Sequence, residues 1–277
     1  MHDIKLIALD LDGTLLDSEK RLSETNRAAL ERAASEGVHI VPTTGRFYSA
    51  MPENIRSLPF VRYVIVINGA GIFDLAEEKV LYRAEMKWEQ AVRIMEYLDT
   101  MDVIYDCYMD NRAWMSASLK EKIDDFAPNE HYRRMLHDLR EPVDELKAFI
   151  AERKQSIQKI QFFFKNPEML DTLINDLSAR FPDEAISSSV FNNIEINHKN
   201  ANKGNAITRL SHILGFGAEN VMSFGDGLND LPMISDAGIG VAMGTASDYI
   251  TKHADYITDT CDNDGVAKAI SHFLWEG

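Results

Sequence analysis

The sequence predicts an α/β protein of 277 residues, a doubly wound parallel sheet with an α+β domain inserted into it. Three observations predict it. Short continuous apolar runs alternate with helix-length amphipathic stretches near both ends of the chain, the pattern of strands buried on two faces with helical crossovers. Several of those runs stop on polar clusters, as strands do where an open sheet binds its ligand. Between residues 85 and 194 strands come in adjacent pairs instead, which signals antiparallel pairing. A prior of about 150 residues per domain also leaves room for two.

Ile4 to Leu9 reads as the first buried strand, ending at Asp10. Ser23 is placed to N-cap a helix carrying Leu30, Ala33 and Ala34, and Gly37 to end it. Val38 to Val41 is a second strand, Phe47 to Ser57 a helix, and Val61 to Ile67 a third strand closed by Asn68, Gly69, Ala70 and Gly71. In the middle, a helix over Trp88 to Thr100 precedes a strand pair, Val103 to Met109 and Arg112 to Ser116. Charge-rich helical sequence runs to Gln155. A strand (Ile157 to Phe164), a helix behind Pro167 (Glu168 to Arg180) and two short strands (Ala185 to Ser189, Asn192 to Asn197) follow. Alternation then resumes with a helix over Lys203 to Leu214 stopped by Gly215 and a strand over Asn220 to Phe224. A short helix over 229–236, strands over Ile239 to Ala242 and Asp255 to Thr258, and a closing helix over Asp264 to Phe273 complete the chain. Trp88, Trp114 and the run Phe162 to Phe164 are expected in the core of the insert.

Charge narrows the partners. There are 29 Lys and Arg residues against 44 Asp and Glu, a net charge of −15, with no basic cluster to overcome repulsion from phosphate backbones or anionic lipid. No nucleic-acid or membrane partner is expected. Asp10 and Asp12 interrupt the first apolar run before it reaches the length of a signal sequence, and no run approaches the 18 or so residues of a membrane span. Cys107 and Cys261 form no CxxC pair and are read as free thiols, so a cytoplasmic location is expected. The eight histidines make no HExxH or similar metal-ligand spacing. The oligomeric state is left open.

Asp10 and Asp12, Thr44, and Asp226 with Asn229 and Asp230 all fall at predicted strand ends. Asp residues in such places also cap turns, but two carboxylate-bearing ends converging on one crevice are unfavourable unless a cation holds them. An all-oxygen set selects a hard ion, Mg²⁺ first.

Asp10-Leu11-Asp12-Gly13-Thr14 resembles the DxDGT nucleophile motif of the haloacid dehalogenase superfamily. Later motifs follow in the family's order: Thr44 in TTGR, Lys203 in NKGNAI, and GDGLND from Gly225 to Asp230. VAMGTA (Val241 to Ala246) and DGVAKAI (Asp264 to Ile270) are similar to the C-terminal part of Cof-type members, and the insert resembles a type IIB α+β cap. Pro42 and Thr245 depart from the common pattern, which has a small residue and Asn there. The resemblance implies a Rossmann-like catalytic core over 1–84 and 195–277 with a cap over 85–194. It further implies Asp10 as nucleophile, Asp12 as general acid and base, and Thr44 and Lys203 as catalytic partners. Mg²⁺ would be held by Asp10, Asp12 through its backbone carbonyl, and Asp226, with Asp230 and Asn229 in or just behind that shell. Leu11 and Gly45 through their amides, Thr44, Asn68, Lys203 and Asn229 would bind the substrate phosphate. Arg46 fits either the substrate or a neighbouring acid.

The function implied is a Mg²⁺-dependent phosphatase that hydrolyses a small phosphorylated metabolite, a sugar phosphate, nucleotide or phosphorylated cofactor, through an aspartyl-phosphate. A phosphomutase or phosphotransferase on the same scaffold and a non-catalytic sugar-phosphate sensor are the alternatives. Loss of Asp10, Asp12 or Lys203 would favour the sensor, and all three are present.

Overall fold

The computed structural model describes residues Asp3 to Glu276, which divide into two compact units. Of the described residues, the first takes those up to Arg46, then Met51–Arg83, then those from Asn202 to Glu276; the second takes Phe47–Ala50 and Ala84–Ala201. The change-over thus falls after Ala201 and not after 194. The physical reason is the strand Asn193–His198, which pairs antiparallel with Lys159–Phe164 inside the second unit's sheet.

In the first unit a five-stranded parallel sheet runs in the order Tyr256–Ile257, Ile239–Ala242, Val221–Gly225, Leu6–Leu9, His39–Pro42. Leu6, Ile7, Ala8 and Leu9 are all fully buried, which explains the uninterrupted apolar run. Leu6 and Ala8 pack with Ala206, Ile207, Leu210 and Met233, while the alternate residues point to the other face. Helices accordingly pair in two groups, Glu24–Ser35 with Gly265–Leu274 and Lys203–Leu214 with Leu231–Asp236. Ser23 caps the first of these helices, its Oγ accepting from the Asn26 N–H at 3.1 Å.

The third predicted strand departs from expectation. It covers Tyr63–Val66 and begins a separate antiparallel sheet with Gly71–Asp74 and Lys79–Arg83. One parallel bridge, Thr43 to Ile65, links it to the main sheet. The strand stops at Val66 because Ile67 turns to φ +52°. The helix expected over Phe47 to Ser57 is broken, a 3₁₀ turn at Tyr48–Ala50 and a short helix at Glu53–Arg56, because Pro52 lies between them and cannot continue the hydrogen-bond ladder.

The second unit is built on a six-stranded sheet, ordered Glu184–Ser187, Asn193–His198, Lys159–Phe164, Val103–Met109, Arg112–Ser116, Arg140–Val143. All neighbours are antiparallel except the last pair. Arg140–Val143 lies in sequence expected to be helical. It is a strand because Arg140 is drawn inward, where its guanidinium donates to Asp106 at 2.9 Å with both groups about 1% exposed. Phe162 and Phe164 join the core under helices Trp88–Leu98 and Leu170–Arg180, with Trp88 and Trp114 packed against it, and Phe163 joins the smaller cluster on the other face. Cys107 and Cys261 are buried free thiols. Among the described residues no helix is long and apolar enough to cross a membrane.

Candidate active site

The residues singled out in the sequence collect at the carboxyl ends of the strands Leu6–Leu9, His39–Pro42 and Val221–Gly225, as an open α/β sheet requires. Asp10 follows the first strand directly and is 8% exposed. Leu11, between the two motif aspartates, is wholly buried. Gly13 takes φ +93°, and a Cβ there would lie 2.6 Å from Asp226 Oδ2. Thr14, also wholly buried, donates its hydroxyl to Asp226 Oδ1 at 2.9 Å. The last two residues of DxDGT therefore serve the carboxylate of a motif some two hundred residues away. Thr14 is not among the site residues expected from the sequence, although its place in the DxDGT motif is a signal for a role.

Lys203 opens the helix that Asn202 caps, with Asn202 Oδ1 accepting from the Asn205 N–H at 2.8 Å. Its side chain is fully buried, and Nζ donates to Asp10 Oδ1 at 2.6 Å and to Asp230 Oδ1 at 2.5 Å. An ammonium in such a place is tolerable only when paired, and here two carboxylates pair it. They hold its pKa above the usual lysine range against burial, which pulls the other way. Asp230 Oδ2 accepts from the Asp226 and Gly227 amides at 3.0 and 2.9 Å. Both of its oxygens are thus engaged in fixing Lys203 and the Asp226 turn. Burial pushes the Asp10 carboxyl well above the ordinary carboxylate range; Lys203 pulls it down, and Asp230 and Asp226 push it up again. Asp226 is raised to about 6 by burial and by Asp230.

Asp10, Asp226 and Asp230 each offer a carboxylate oxygen, all within 4.8 Å of one another. Three carboxylates against one ammonium leave excess negative charge in a largely buried place, and a divalent cation with oxygen ligands answers that arrangement. The Asp12 carboxylate points elsewhere. Arg46 grips it with Nε to Oδ2 and Nη2 to Oδ1, both at 2.8 Å, and Lys20 Nζ lies 3.0 Å from Oδ1. Burial alone would raise Asp12, but these two cations hold it below the usual value. Of the two partners open to Arg46, the substrate and a neighbouring acid, the structure pairs it with the acid, Asp12. Lys20, at φ +63°, was not singled out in the sequence.

The second strand end supplies a further group. Thr44 Oγ1 accepts from the Arg46 amide at 3.2 Å, so its own hydroxyl hydrogen is directed to other acceptors. The Thr44 carbonyl accepts from the Asn68 N–H, and the Arg46 carbonyl from the Ile67 N–H, both at 3.0 Å. Asn68 Oδ1 accepts from Asn229 Nδ2 at 3.2 Å and lies 2.8 Å from where a Cβ on Gly45 would be. Ile67 and Asn68 both have left-handed backbones, at φ +52° and +54°. For a β-branched residue this is a true outlier, and such positions cost about 1–3 kcal/mol each and gather at functional sites.

The chain is similar to known proteins over nearly its whole length. Residues 7–270 match the haloacid dehalogenase-like hydrolase family. The 5-amino-6-(5-phospho-D-ribitylamino)uracil phosphatase YcsE of Bacillus subtilis (strain 168) is 35% identical over 278 residues, covering 98% of this chain and 96% of its own. The pyridoxal phosphate phosphatase YbhA of Escherichia coli (strain K12) is 27% identical, with 98% and 99% covered. Among solved structures, a haloacid dehalogenase-like hydrolase from B. subtilis superposes with a TM-score of 0.85 at 28% identity, over 98% of this chain and 100% of that one. The HAD subclass IIB sugar phosphatase BT4131 gives 0.82 at 25% identity, over 97% and 98%.

Proposed function

The chain belongs to the haloacid dehalogenase-like hydrolase family as a phosphatase, and we propose that it cleaves a small phosphorylated metabolite through an aspartyl-phosphate formed on Asp10, with Mg²⁺ as its cofactor. The observation that carries this reading is the buried Lys203 ammonium held between Asp10 and Asp230 beside Asp226. A carboxylate is a weak nucleophile toward a phosphate dianion, and it needs cations at close quarters to approach one. In this reading the first unit is the catalytic core and the second the cap.

Asp10 and Asp226, with the Asp12 backbone carbonyl, would hold Mg²⁺; when bound, the ion supplies positive charge against the phosphoryl oxygens. Asp230 keeps Lys203 and the Asp226 turn in place. Asp10 attacks phosphorus, and the bond to the leaving oxygen breaks. The Thr44 hydroxyl, the Leu11 and Gly45 amides and the side chains of Lys203, Asn68 and Asn229 stabilise the equatorial charge that develops. Asp12 protonates the leaving oxygen and then takes a proton from the water that cleaves the acyl-phosphate. Arg46 and Lys20 keep Asp12 ionised here, the form that second step requires. For the first step Asp12 takes up a proton from solvent, which it can do once both cations turn to another anion, and the substrate phosphoryl group is one.

Two experiments test the reading. Phosphate release should be screened on sugar phosphates, nucleotides, flavin mononucleotide, pyridoxal phosphate and 5-amino-6-(5-phospho-D-ribitylamino)uracil, the last two being substrates for which relatives are named. EDTA should stop release, Mg²⁺ should restore it, and Ca²⁺ should inhibit because its looser coordination disturbs in-line geometry. Failure to hydrolyse any ester overturns the proposal, and full activity after exhaustive chelation removes Mg²⁺ from it. For Asp12→Asn, rapid quench on p-nitrophenyl phosphate should show a burst of nitrophenol near one equivalent and then a slow phase. The aryl leaving group departs without a proton, whereas hydrolysis of the acyl-phosphate lacks its base. Equal first-step losses for alkyl and aryl esters, with no burst, would remove Asp12 from proton transfer.

A further inference from the structure

Resting on the phosphatase reading, we propose that the left-handed turn Ile67–Asn68–Gly69 is a positioning element that sets Lys203 and the Thr44–Gly45 loop about Asp10. Three consecutive residues with φ of +52°, +54° and +92° lie buried together, two of them carrying side chains. An arrangement this unfavourable locally persists only where its surroundings over-determine it. They do so from three directions. The Ile67 and Asn68 amides donate to the carbonyls of Arg46 and Thr44, which fixes the loop between those residues. Asn68 Oδ1 accepts from Asn229 in the fourth motif. Gly69 packs so closely on Asn202 that a Cβ would overlap its carbonyl, and that same carbonyl accepts from the Ala206 N–H in the first turn of the helix that starts at Lys203. One turn therefore touches the elements carrying the second, third and fourth motifs, and Gly69 does so with no side chain to offer a substrate. Neither Ile67 nor Gly69 need contact phosphate for the effect to operate; they act through where they hold Lys203 Nζ and the loop.

The test is Gly69→Ala. Gly37 provides the control, since it has the same φ of +92° but nothing within 4 Å of a Cβ, so Gly37→Ala meets the same backbone penalty without displacing anything. Gly69→Ala should lower kcat on p-nitrophenyl phosphate about 100-fold, the scale of a roughly 1 Å misplacement, while KM stays within about threefold. Gly37→Ala should leave both unchanged. Crystals of Gly69→Ala should show Lys203 Nζ withdrawn from Asp10 Oδ1 beyond about 3.5 Å. If that variant does not fold, Asn202→Ala loosens the same helix start without added bulk and should lower kcat about tenfold at unchanged KM. Retention of the Lys203–Asp10 bond with wild-type kcat in Gly69→Ala, or wild-type kcat in Asn202→Ala, overturns the proposal. A wild-type protein that hydrolyses no ester would instead defeat the phosphatase reading, and the Lys203–Asp10 distance in the variant would still decide this one.

Discussion

Lys203→Met is expected to lower kcat by at least ~10³-fold and to cost about 3–5 kcal/mol of stability near neutral pH. The first loss follows because the ammonium is the protein's own cation in contact with the proposed nucleophile, at 2.6 Å. The second follows because methionine fills much of the lysine volume but strands Asp10 and Asp230, both buried, without their counter-ion. Stability should then depend on pH in a telling direction. A stranded carboxyl has a folded pKa above its unfolded one, so the folded state binds more protons and the deficit shrinks as pH falls. Urea unfolding of wild type and variant at pH 8 and pH 5 would read this. A variant as stable as wild type at pH 8 would mean that the three groups are not the coupled set described.

Asp10→Asn should fold and yet lose at least ~10³-fold in kcat, the scale seen when a nucleophile is removed from a catalytic unit. The amide oxygen can still accept from Lys203 Nζ, so the ammonium keeps a partner and the loop after Leu9 keeps its shape. What it cannot do is form an acyl-phosphate. Circular dichroism, together with phosphate release on the best substrate from the screen, would check both halves. Near-wild-type turnover would remove Asp10 from the nucleophile role.

The two largest effects concern residues that were visible in the sequence, and the reason is physical. Asp10 ends a run of apolar residues buried on both faces, and Lys203, in the NKGNAI motif, begins a helix whose stop Gly215 marks. Burial pattern and capping are local properties, so a chain with no structure attached displays them. The hairpin Gly71–Asp74 and Lys79–Arg83 escaped because its strands are short and its outer one half-buried, so neither alternation nor a long apolar run marks it. Arg140–Val143 escaped because it pairs on only one side, in parallel, and carries a buried arginine whose partner is 34 residues away. The left-handed Ile67 runs against what its side chain prefers, and contacts with a loop some twenty residues away in the chain help to hold it there. Thr14 and Lys20 owe their roles to partners across space. No local property could assign Thr14 to Asp226 or choose Asp12 for Arg46.

The strand order carries a consequence for biosynthesis. Leu6–Leu9, at the centre of the parallel sheet, pairs on one side with His39–Pro42 and on the other with Val221–Gly225. At a translation rate of about 5–20 residues per second, the second partner emerges roughly 10 to 40 s after the first strand. Throughout that interval one edge of a wholly apolar strand waits unpaired, while the second unit, contiguous apart from Phe47–Ala50, has nearly its whole chain available for folding. The nascent protein is therefore most prone to aggregation when its insert is already folded and its main sheet is half built. Slowing elongation between residues 84 and 201 should lengthen this exposed period and lower soluble yield without changing a single contact in the finished molecule.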